Sequence, residues 1–106
     1  MFDALEVSLQ VLEQLIPIGV SIRKHNASLG KQLGRASESV ALNIGEGRDR
    51  CDGDQRRHYE MAAGSAGELT AALRIAMLKG YITRDEYAQV DVLLDRVRAM
   101  LWKMRH

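Results

Sequence analysis

Four polar side chains recur at helical spacing in the middle of the chain. Arg35, Ser39, Asn43 and Glu46 are separated by four, four and three residues, so on an α-helix they form one row. Such a row contacts either a ligand or the polar side chains of a neighbouring helix. We prefer a buried polar network, because an arginine beside carboxylates is neutralised in place and each unpartnered member would cost about 1 kcal/mol or more. The predicted network is Arg35, Ser39, Asn43, Glu46, Ser65 and Glu68; a ligand or RNA contact is the alternative.

The histidines and acidic residues form no pattern typical of catalysis or metal binding. His25, His58 and His106 are widely separated, and neither a His-x-x-x-His nor a Glu-x-x-His pair occurs. Metal sites inside helical bundles use such pairs in repeated sets. Cys51 lies among arginines, but a lone cysteine in a loop is ordinarily incidental. We therefore expect no enzymatic activity, catalytic residue, metal, cofactor or small-molecule substrate.

Arginines concentrate directly after the polar row. In an up-and-down bundle this segment lies at the same end as the last turns of the fourth helix. Acidic residues alternate with the arginines and the net charge is only +1, so a self-compensated, solvated end is the alternative to a phosphate-binding site. Several assembled copies would strengthen phosphate binding, because affinity grows with the number of cationic contacts. The predicted nucleic-acid-binding residues are Arg48, Arg50, Arg56, Arg57, Arg98, Lys103 and Arg105.

Four amphipathic segments are available to position these groups. Apolar residues at spacings of three and four predict helices over about residues 3–24, from Asn26 or Ser28 to about residue 46, over 55–79 and from Thr83 to the end. Gly80 is expected to end the third helix, and Thr83 with Glu86 forms a capping box. Residues 47–54 are expected to be a loop, with Asp52 or Asp54 capping the third helix. The sequence predicts one all-α domain, residues 1–106, folded as an antiparallel up-down-up-down four-helix bundle.

The first predicted helix carries two apolar stripes. Leu5, Leu9, Leu12 and Ile16 form the stripe that we assign to the core, and a second stripe is displaced around the helix axis. Pro17 is expected to kink this helix or to divide it in two. Two stripes indicate that a second subunit covers the helix, and an exposed tryptophan is typical of interfaces. The predicted subunit or partner contacts are Val11, Leu15, Ile18, Ile22 and Trp102.

A run of small residues occupies the middle of the third predicted helix. Residues 62–67 read AAGSAG, and two interior glycines cost about 1 kcal/mol each relative to alanine. Close approach of another backbone would compensate for this cost. Because Ala36, Ser39 and Ala41 are also small, we expect the second helix to be that neighbour.

The remaining features indicate cellular location. The single Cys51 permits no internal disulfide, which favours a reducing, cytoplasmic environment. Asp3 and Glu6 interrupt the pattern of a signal peptide. The longest uncharged stretch, residues 14–22, is too short to cross a bilayer, so we expect no membrane association.

Two segments resemble a known bacterial family. QLGRASESVALNIGEGRDR and HYEMAAGSAGELTAALRIAMLKGYI are similar to the four-helix-bundle proteins encoded in intervening sequences of 23S rRNA genes. The accessory variability determinant of diversity-generating retroelements belongs to the same family. The resemblance implies a ring-shaped homopentamer, which in the retroelement branch binds nucleic acid and a reverse transcriptase through a basic surface. This chain departs from that branch because it is nearly neutral, so a protein-only scaffold is the alternative function.

Overall fold

The computed structural model describes residues 3–106 and consists of four long helices. They are α1 (Ala4–His25), α2 (Ala27–Arg48), α3 (Asp52–Leu78) and α4 (Arg84–Arg105). Helices α1 and α3 each pack against both α2 and α4, and the molecule measures 42 × 26 × 19 Å. No strand occurs between residues 3 and 106. The predicted all-α, up-down-up-down four-helix bundle is confirmed.

Local capping interactions fix the first two helices. The Asp3 carboxylate accepts the backbone N–H of Glu6 at 2.9 Å, and the Asn26 side chain accepts that of Leu29 at 3.0 Å. Asn26 alone connects α1 to α2, serving as the C-cap of one helix and the N-cap of the next. Helix α1 runs through Pro17 without interruption, so the alternative of two shorter helices is wrong.

The α3–α4 connection has the predicted capping chemistry. Gly80 adopts φ +76°, a conformation that favours glycine. The N–H groups of Gly80 and Tyr81 donate to the carbonyls of Met77 and Ala76 at 3.0 and 2.9 Å, which is a Schellman motif. Thr83 and Glu86 form the reciprocal capping box.

The α2–α3 connection is shorter than the sequence predicted. Both helices extend into the expected loop and leave only residues 49–51 between them. Neither Asp52 nor Asp54 caps α3; the N-cap is Cys51, whose side chain makes no capping hydrogen bond. Gly47 lies within the extended α2 and is buried against Tyr59 of α3. Glycine is needed at this position because a Cβ atom there would lie 2.6 Å from the Tyr59 ring. Packing of Tyr59 against this glycine holds the final turn of α2 on α3.

The stripe of α1 assigned to a subunit interface forms the core instead. Val11, Leu15, Ile18 and Ile22 are 5% exposed or less, so this prediction is wrong and these side chains present nothing to a partner. Val7 extends the stripe to five residues over the whole length of α1, and this longer stripe faces both α2 and α4. In the stripe assigned to the core, Leu9 and Ile16 face outward at 46% and 67% exposure, while Leu5 and Leu12 are half-buried.

Helix α1 is apolar enough to resemble a membrane-spanning segment. Among residues 3–106 it is the helix long and apolar enough, by length and composition alone, to cross a membrane. Core helices of bundles pass the same test, and α1 contributes eight buried residues to this bundle. Inward packing accounts for these residues, while Leu9, Ile16 and Val20 add apolar character on the outer face.

Candidate anion-binding and subunit-contact surfaces

A chain of hydrogen bonds joins α2 to α3. Ser39 Oγ lies 2.7 Å from Ser65 Oγ, and Asn43 Nδ2 donates to the carbonyl and hydroxyl oxygens of Ser39 at 2.9 and 3.1 Å. His58 Nδ1 lies 3.2 Å from Asn43 Oδ1. The geometry assigns the protons, because Asn43 Oδ1 is only an acceptor and His58 Nδ1 must donate to it. Ser39 accepts from Asn43 and is therefore free to donate to Ser65.

Half of the predicted polar network takes no part in this chain. Arg35 and Glu68 are exposed and form no side-chain hydrogen bond with residues 3–106, while Glu46 binds Arg50 instead. Each residue turns a helix by about 100°, so Glu68 lies about 60° from Ser65 toward solvent. The network consists of Ser39, Asn43, Ser65 and the unpredicted His58. The signal for His58 in the sequence was its spacing of seven residues from Ser65, which places both side chains on one face of α3.

The predicted nucleic-acid-binding arginines lie near one end of the bundle, mostly in ion pairs. We call this the terminal end and define it as residues 3–10, 44–60 and 98–106. Arg50 bridges Glu46 at 3.2 Å and Asp54 at 3.1 Å, and Arg57 contacts Asp54 at 3.0 Å. Arg48 lies 3.4 Å from Asp3.

Two of these groups have shifted ionisation. The hydrogen bond with Glu46, together with the charge of Asp54, raises the pKa of Arg50 above its usual range. Hydrogen bonding from Arg57 and the charge of Arg50 hold the pKa of the Asp54 carboxyl below its usual range. The Arg50–Asp54–Arg57 triad therefore remains ionised and internally paired at neutral pH.

Arg98 is held within the bundle wall. Its guanidinium donates to Thr70 Oγ1 at 2.7 Å and to Asp91 at 2.9 Å, with Asp95 at 3.3 Å. Burial opposes ionisation, but the hydrogen bond and charge of Asp91 outweigh it and raise the pKa of Arg98. This half-buried arginine links α3 to α4 and has few donors left for a phosphate. Its prediction as a nucleic-acid contact is corrected accordingly.

The terminal end as a whole carries no excess of positive side chains. Arg56 and Lys103 form no ion pair with residues 3–106, and Arg105 Nε donates to the Leu101 carbonyl at 3.2 Å. The seven cations are balanced by seven acids: Asp3, Glu6, Glu46, Asp49, Asp52, Asp54 and Glu60.

The opposite end is strongly basic, although no run of cations in the sequence indicates it. We call it the two-turn end and define it as residues 20–31 and 74–90, which include the α1–α2 and α3–α4 turns. Its only acidic residues are Asp85 and Glu86, so its side chains carry a net charge of +4. The signal was spread over four helices rather than gathered in one run. Its six cations are Arg23, Lys24, Lys31, Arg74, Lys79 and Arg84.

An aromatic pair lies within the two-turn end. The rings of His25 and Tyr81 stack with centroids 5.1 Å apart and planes 17° from parallel. Ser21 ties them together: its hydroxyl donates to the Tyr81 carbonyl at 2.9 Å, and its own carbonyl lies 3.0 Å from His25 Nδ1. The stack fixes the α3–α4 turn against the end of α1.

An apolar groove runs between α1 and α2. One part, of about 400 Å³, is lined by Leu5, Leu9 and Leu42 with Ala41 and Gly45, and also by the acids Glu46 and Asp49. A second part, of about 190 Å³, lies along Leu12, Ile16 and Gly34, and its lining includes Arg23, Ser37 and Glu38. Leu42 is 68% exposed, and added Cβ atoms at Gly34 and Gly45 would meet no neighbour within 4 Å. The groove therefore offers apolar side chains with open gaps between them, flanked by charged residues.

The small-residue run of α3 is divided between two sides of the helix. Ser65 meets Ser39 of α2 and Ala62 and Ala66 are buried, whereas Gly64 and Gly67 face outward. Gly64 and Gly67 have no neighbouring atom within 4 Å of a Cβ position, so the predicted close approach of α2 at these glycines is wrong. They belong to an exposed, uncharged row with Met61, Ala71, Ile75 and Leu78, spaced three or four residues apart. We call this row the α3 outer stripe. Its largest member, Leu78, is 73% exposed.

Trp102 is exposed, at 58%, on the outer side of α4. Its ring stacks on His106, with centroids 4.3 Å apart. Its role as a partner contact stays a prediction. Between residues 3 and 106 no group of three or more His, Cys, Asp or Glu side chains is arranged to hold a metal ion.

These features define a small helical-bundle protein with one basic end and two apolar outer surfaces. Residues 3–103 match the family described as 23S rRNA-intervening sequence protein, and the chain belongs to this family. The crystal structure of a protein of unknown function from the S23 ribosomal protein family of Bacteroides thetaiotaomicron superposes with a TM-score of 0.88. It is 19% identical, and the match covers 96% of this chain and 97% of that one. No curated protein matches the chain.

Proposed function

We propose that this protein is a non-enzymatic, self-associating interaction protein. Copies join when the α3 outer stripe of one inserts into the α1–α2 groove of the next. The observation that carries the proposal is the exposure of Gly64 and Gly67 in mid-helix with no atom near them. Such glycines cost about 1 kcal/mol each relative to alanine, and close packing against a second copy compensates for that cost.

The shapes of the two surfaces support this pairing. The α3 outer stripe presents Ile75 and Leu78 as protruding side chains, and the groove has open positions at Gly34 and Gly45. In the other direction, Leu9, Ile16 and Leu42 project from the groove toward the positions left open by Gly64 and Gly67. Because the two surfaces differ, the contact is heterologous and generates a closed ring if the rotation closes. Five copies is the number that the sequence resemblance implies.

The assembled ring acts in the cytoplasm as an accessory factor for nucleic acid and a reverse transcriptase. The resemblance to the retroelement branch suggests this role, and the net charge of +4 at the two-turn end supports it. Trp102 lies outside both apolar surfaces and is left for a protein partner. No membrane or small-molecule substrate enters the proposal.

A protein-only scaffold is the second candidate. The balanced charges of the terminal end favour it, because the arginines there are neutralised by neighbouring acids rather than left for phosphates. In this case the ring holds protein partners alone. A nucleic-acid binding measurement at low salt separates the two candidates, because a protein-only scaffold should bind no nucleic acid.

Light scattering coupled to size-exclusion chromatography tests the assembly. We expect a mass several-fold above the 11.9 kDa of one chain, close to five chains. Ile16→Glu in the groove and Leu78→Glu on the stripe should each reduce the mass to that of a monomer. Val92→Glu is the matched control, because Val92 is 66% exposed on α4 and belongs to neither surface.

Mixing the two variants distinguishes a heterologous contact from a symmetric one. The Ile16→Glu chain keeps an intact stripe and the Leu78→Glu chain keeps an intact groove, so the mixture should form a heterodimer. A wild-type protein that stays monomeric at micromolar concentration would sink the proposal. Assembly that withstands both substitutions would show that other surfaces are used.

A further inference from the structure

We propose that the two-turn end is a binding site for single-stranded nucleic acid, with phosphates on its cations and a base stacked on the His25–Tyr81 pair. This inference rests on the nucleic-acid role proposed above and assigns that role to specific residues. It moves the site from the terminal end, where the arginines occur together in the sequence, to the opposite end of the bundle.

The cations of the two-turn end are available for phosphates. All six are exposed, and none forms an ion pair with any residue between 3 and 106. Of the two acids present, Glu86 is occupied by the backbone N–H of Thr83 at 2.8 Å. The cations surround a cross-section of 26 × 19 Å. Because exposed charges more than a Debye length of about 8 Å apart are screened from one another, each cation acts mainly on a phosphate close to it, and a strand crossing this end contacts several in turn.

The stacked pair distinguishes this surface from a simple cluster of positive charge. Tyr81 is held by its N–H to the Ala76 carbonyl at 2.9 Å and by its carbonyl to the Ser21 hydroxyl. His25 is exposed, so the side of its ring away from Tyr81 is open to a base. A ring that is already fixed loses little conformational entropy on stacking. Proteins that bind single strands combine such aromatic platforms with a positive groove.

The aromatic pair is also the reason to favour a nucleic acid over an acidic polypeptide. Carboxylates would use the cations but would make no use of the exposed face of the His25 ring. Duplex nucleic acid would also bind the cations, but its paired bases are not free to stack on His25. The favoured ligand is therefore a single strand with unpaired bases.

Fluorescence anisotropy with a labelled single-stranded RNA of mixed sequence, across a salt series, tests the charge component. Lys24→Gln/Lys79→Gln/Arg84→Gln neutralises three cations of the two-turn end, and Arg56→Gln/Arg57→Gln/Lys103→Gln removes the same charge from the terminal end. We expect the first triple variant to bind at least tenfold more weakly, with a salt slope lower by about two units, at about 0.7 per phosphate contact. The second should stay within threefold of the wild type.

Each end has one histidine stacked on another aromatic ring, and the two histidines serve as a matched pair to test base stacking. His25→Ala removes the outer ring of the stack at the two-turn end, whereas His106→Ala removes the ring stacked on Trp102 at the terminal end. We expect His25→Ala to weaken binding about five- to tenfold, the low end of stacking losses, and His106→Ala to change nothing. Circular dichroism and light scattering of every variant confirm that fold and assembly are retained.

The outcomes separate this inference from the function on which it rests. No binding by the wild type at low salt overturns the nucleic-acid role itself. Binding that the terminal-end variants abolish, or that His25→Ala leaves unchanged, overturns only the site. Equal competition by poly-glutamate assigns the surface to acidic polypeptides, and preference for a duplex of the same length excludes the stacking contact.

Discussion

The two ends of the bundle carry similar numbers of cations in different surroundings. The terminal end has seven cations and seven acids, whereas the two-turn end has six cations and two acids. At the terminal end, Arg50 and Arg57 share Asp54, while no cation of the two-turn end forms an ion pair with residues 3–106. A conspicuous run of arginines is therefore a poor guide to positive potential. The acids that the fold brings beside them decide the sign of the surface.

The two ends differ at the surface but share one core, and substitutions in that core should have the largest effect. Ile22 at the two-turn end and Ile44 at the terminal end are both fully buried. Each change to alanine should cost about 2–5 kcal/mol of unfolding free energy through lost burial and a residual cavity. Urea denaturation at fixed protein concentration measures this, with Val20→Ala on the outer face of α1 as a mild control. Two separate transitions in either variant would contradict a single cooperative core.

A second test concerns the tight packing of Gly47 at the terminal end. In Gly47→Ala the new Cβ would meet the ring of the buried Tyr59, and the required shift should cost about 1–3 kcal/mol. The matched change Gly45→Ala meets no neighbour and should stabilise the isolated chain by up to about 1 kcal/mol through helix propensity. Thermal unfolding monitored by circular dichroism ranks them. Equal melting temperatures would show that Tyr59 moves aside without cost.

The two ends also differ in the N-terminal capping of the helices that begin there. Thr83→Ala removes the capping box of α4 at the two-turn end and should cost about 1 kcal/mol. Cys51, the N-cap of α3 at the terminal end, makes no side-chain capping bond, so Cys51→Ser should add stability of similar or smaller size. Chemical denaturation under reducing conditions measures both. A destabilising Cys51→Ser change would mean that the backbone there prevents the serine hydroxyl from reaching its N–H group.

The smallest expected effect is the acid sensitivity of the terminal end. The pKa of Asp54 is lowered by Arg57 and Arg50, so its ion pairs stabilise the fold above the unfolded-state pKa. That stability is lost as pH falls through the lower folded-state value, within a window below about pH 4. Asp54→Asn should therefore lose less stability than the wild type on acidification from pH 5 to pH 2. Parallel acid-denaturation curves for the two proteins would show that the triad contributes nothing measurable.

Much of the fold was predictable because its signals are local. Gly80 and Thr83 act through neighbours within five residues, so their predicted capping roles are confirmed, and of the alternatives Asn26 and Ser28 the structure has Asn26. Apolar residues three and four apart similarly specify the helices, and four such helices with short connections leave few other arrangements. The ends of α2 and α3 were missed because Gly47 and Tyr59 hold them together through a tertiary contact.

The candidate surfaces depended on information that one helix does not contain. Two rows of apolar residues lie on α1, and either satisfies the helical period; the positions of α2 and α4 determine that Val11 is buried and Ile16 is exposed. In the same way, Gly64 and Gly67 are small in the sequence, but only the location of α2 shows that nothing in the same chain approaches them.

The sequence by itself determined four amphipathic helices, the Gly80 and Thr83 caps and the absence of a recognisable catalytic pattern, because these properties arise within a few residues. The tertiary structure decided which apolar stripe faces outward, which polar residues meet across α2 and α3, and which cations remain unpaired. Each of these depends on the rotation of one helix about its axis relative to its neighbours, and residue spacing within one helix does not determine that rotation. Packing fixes that rotation, and with it the contrast between a neutral end and a basic one.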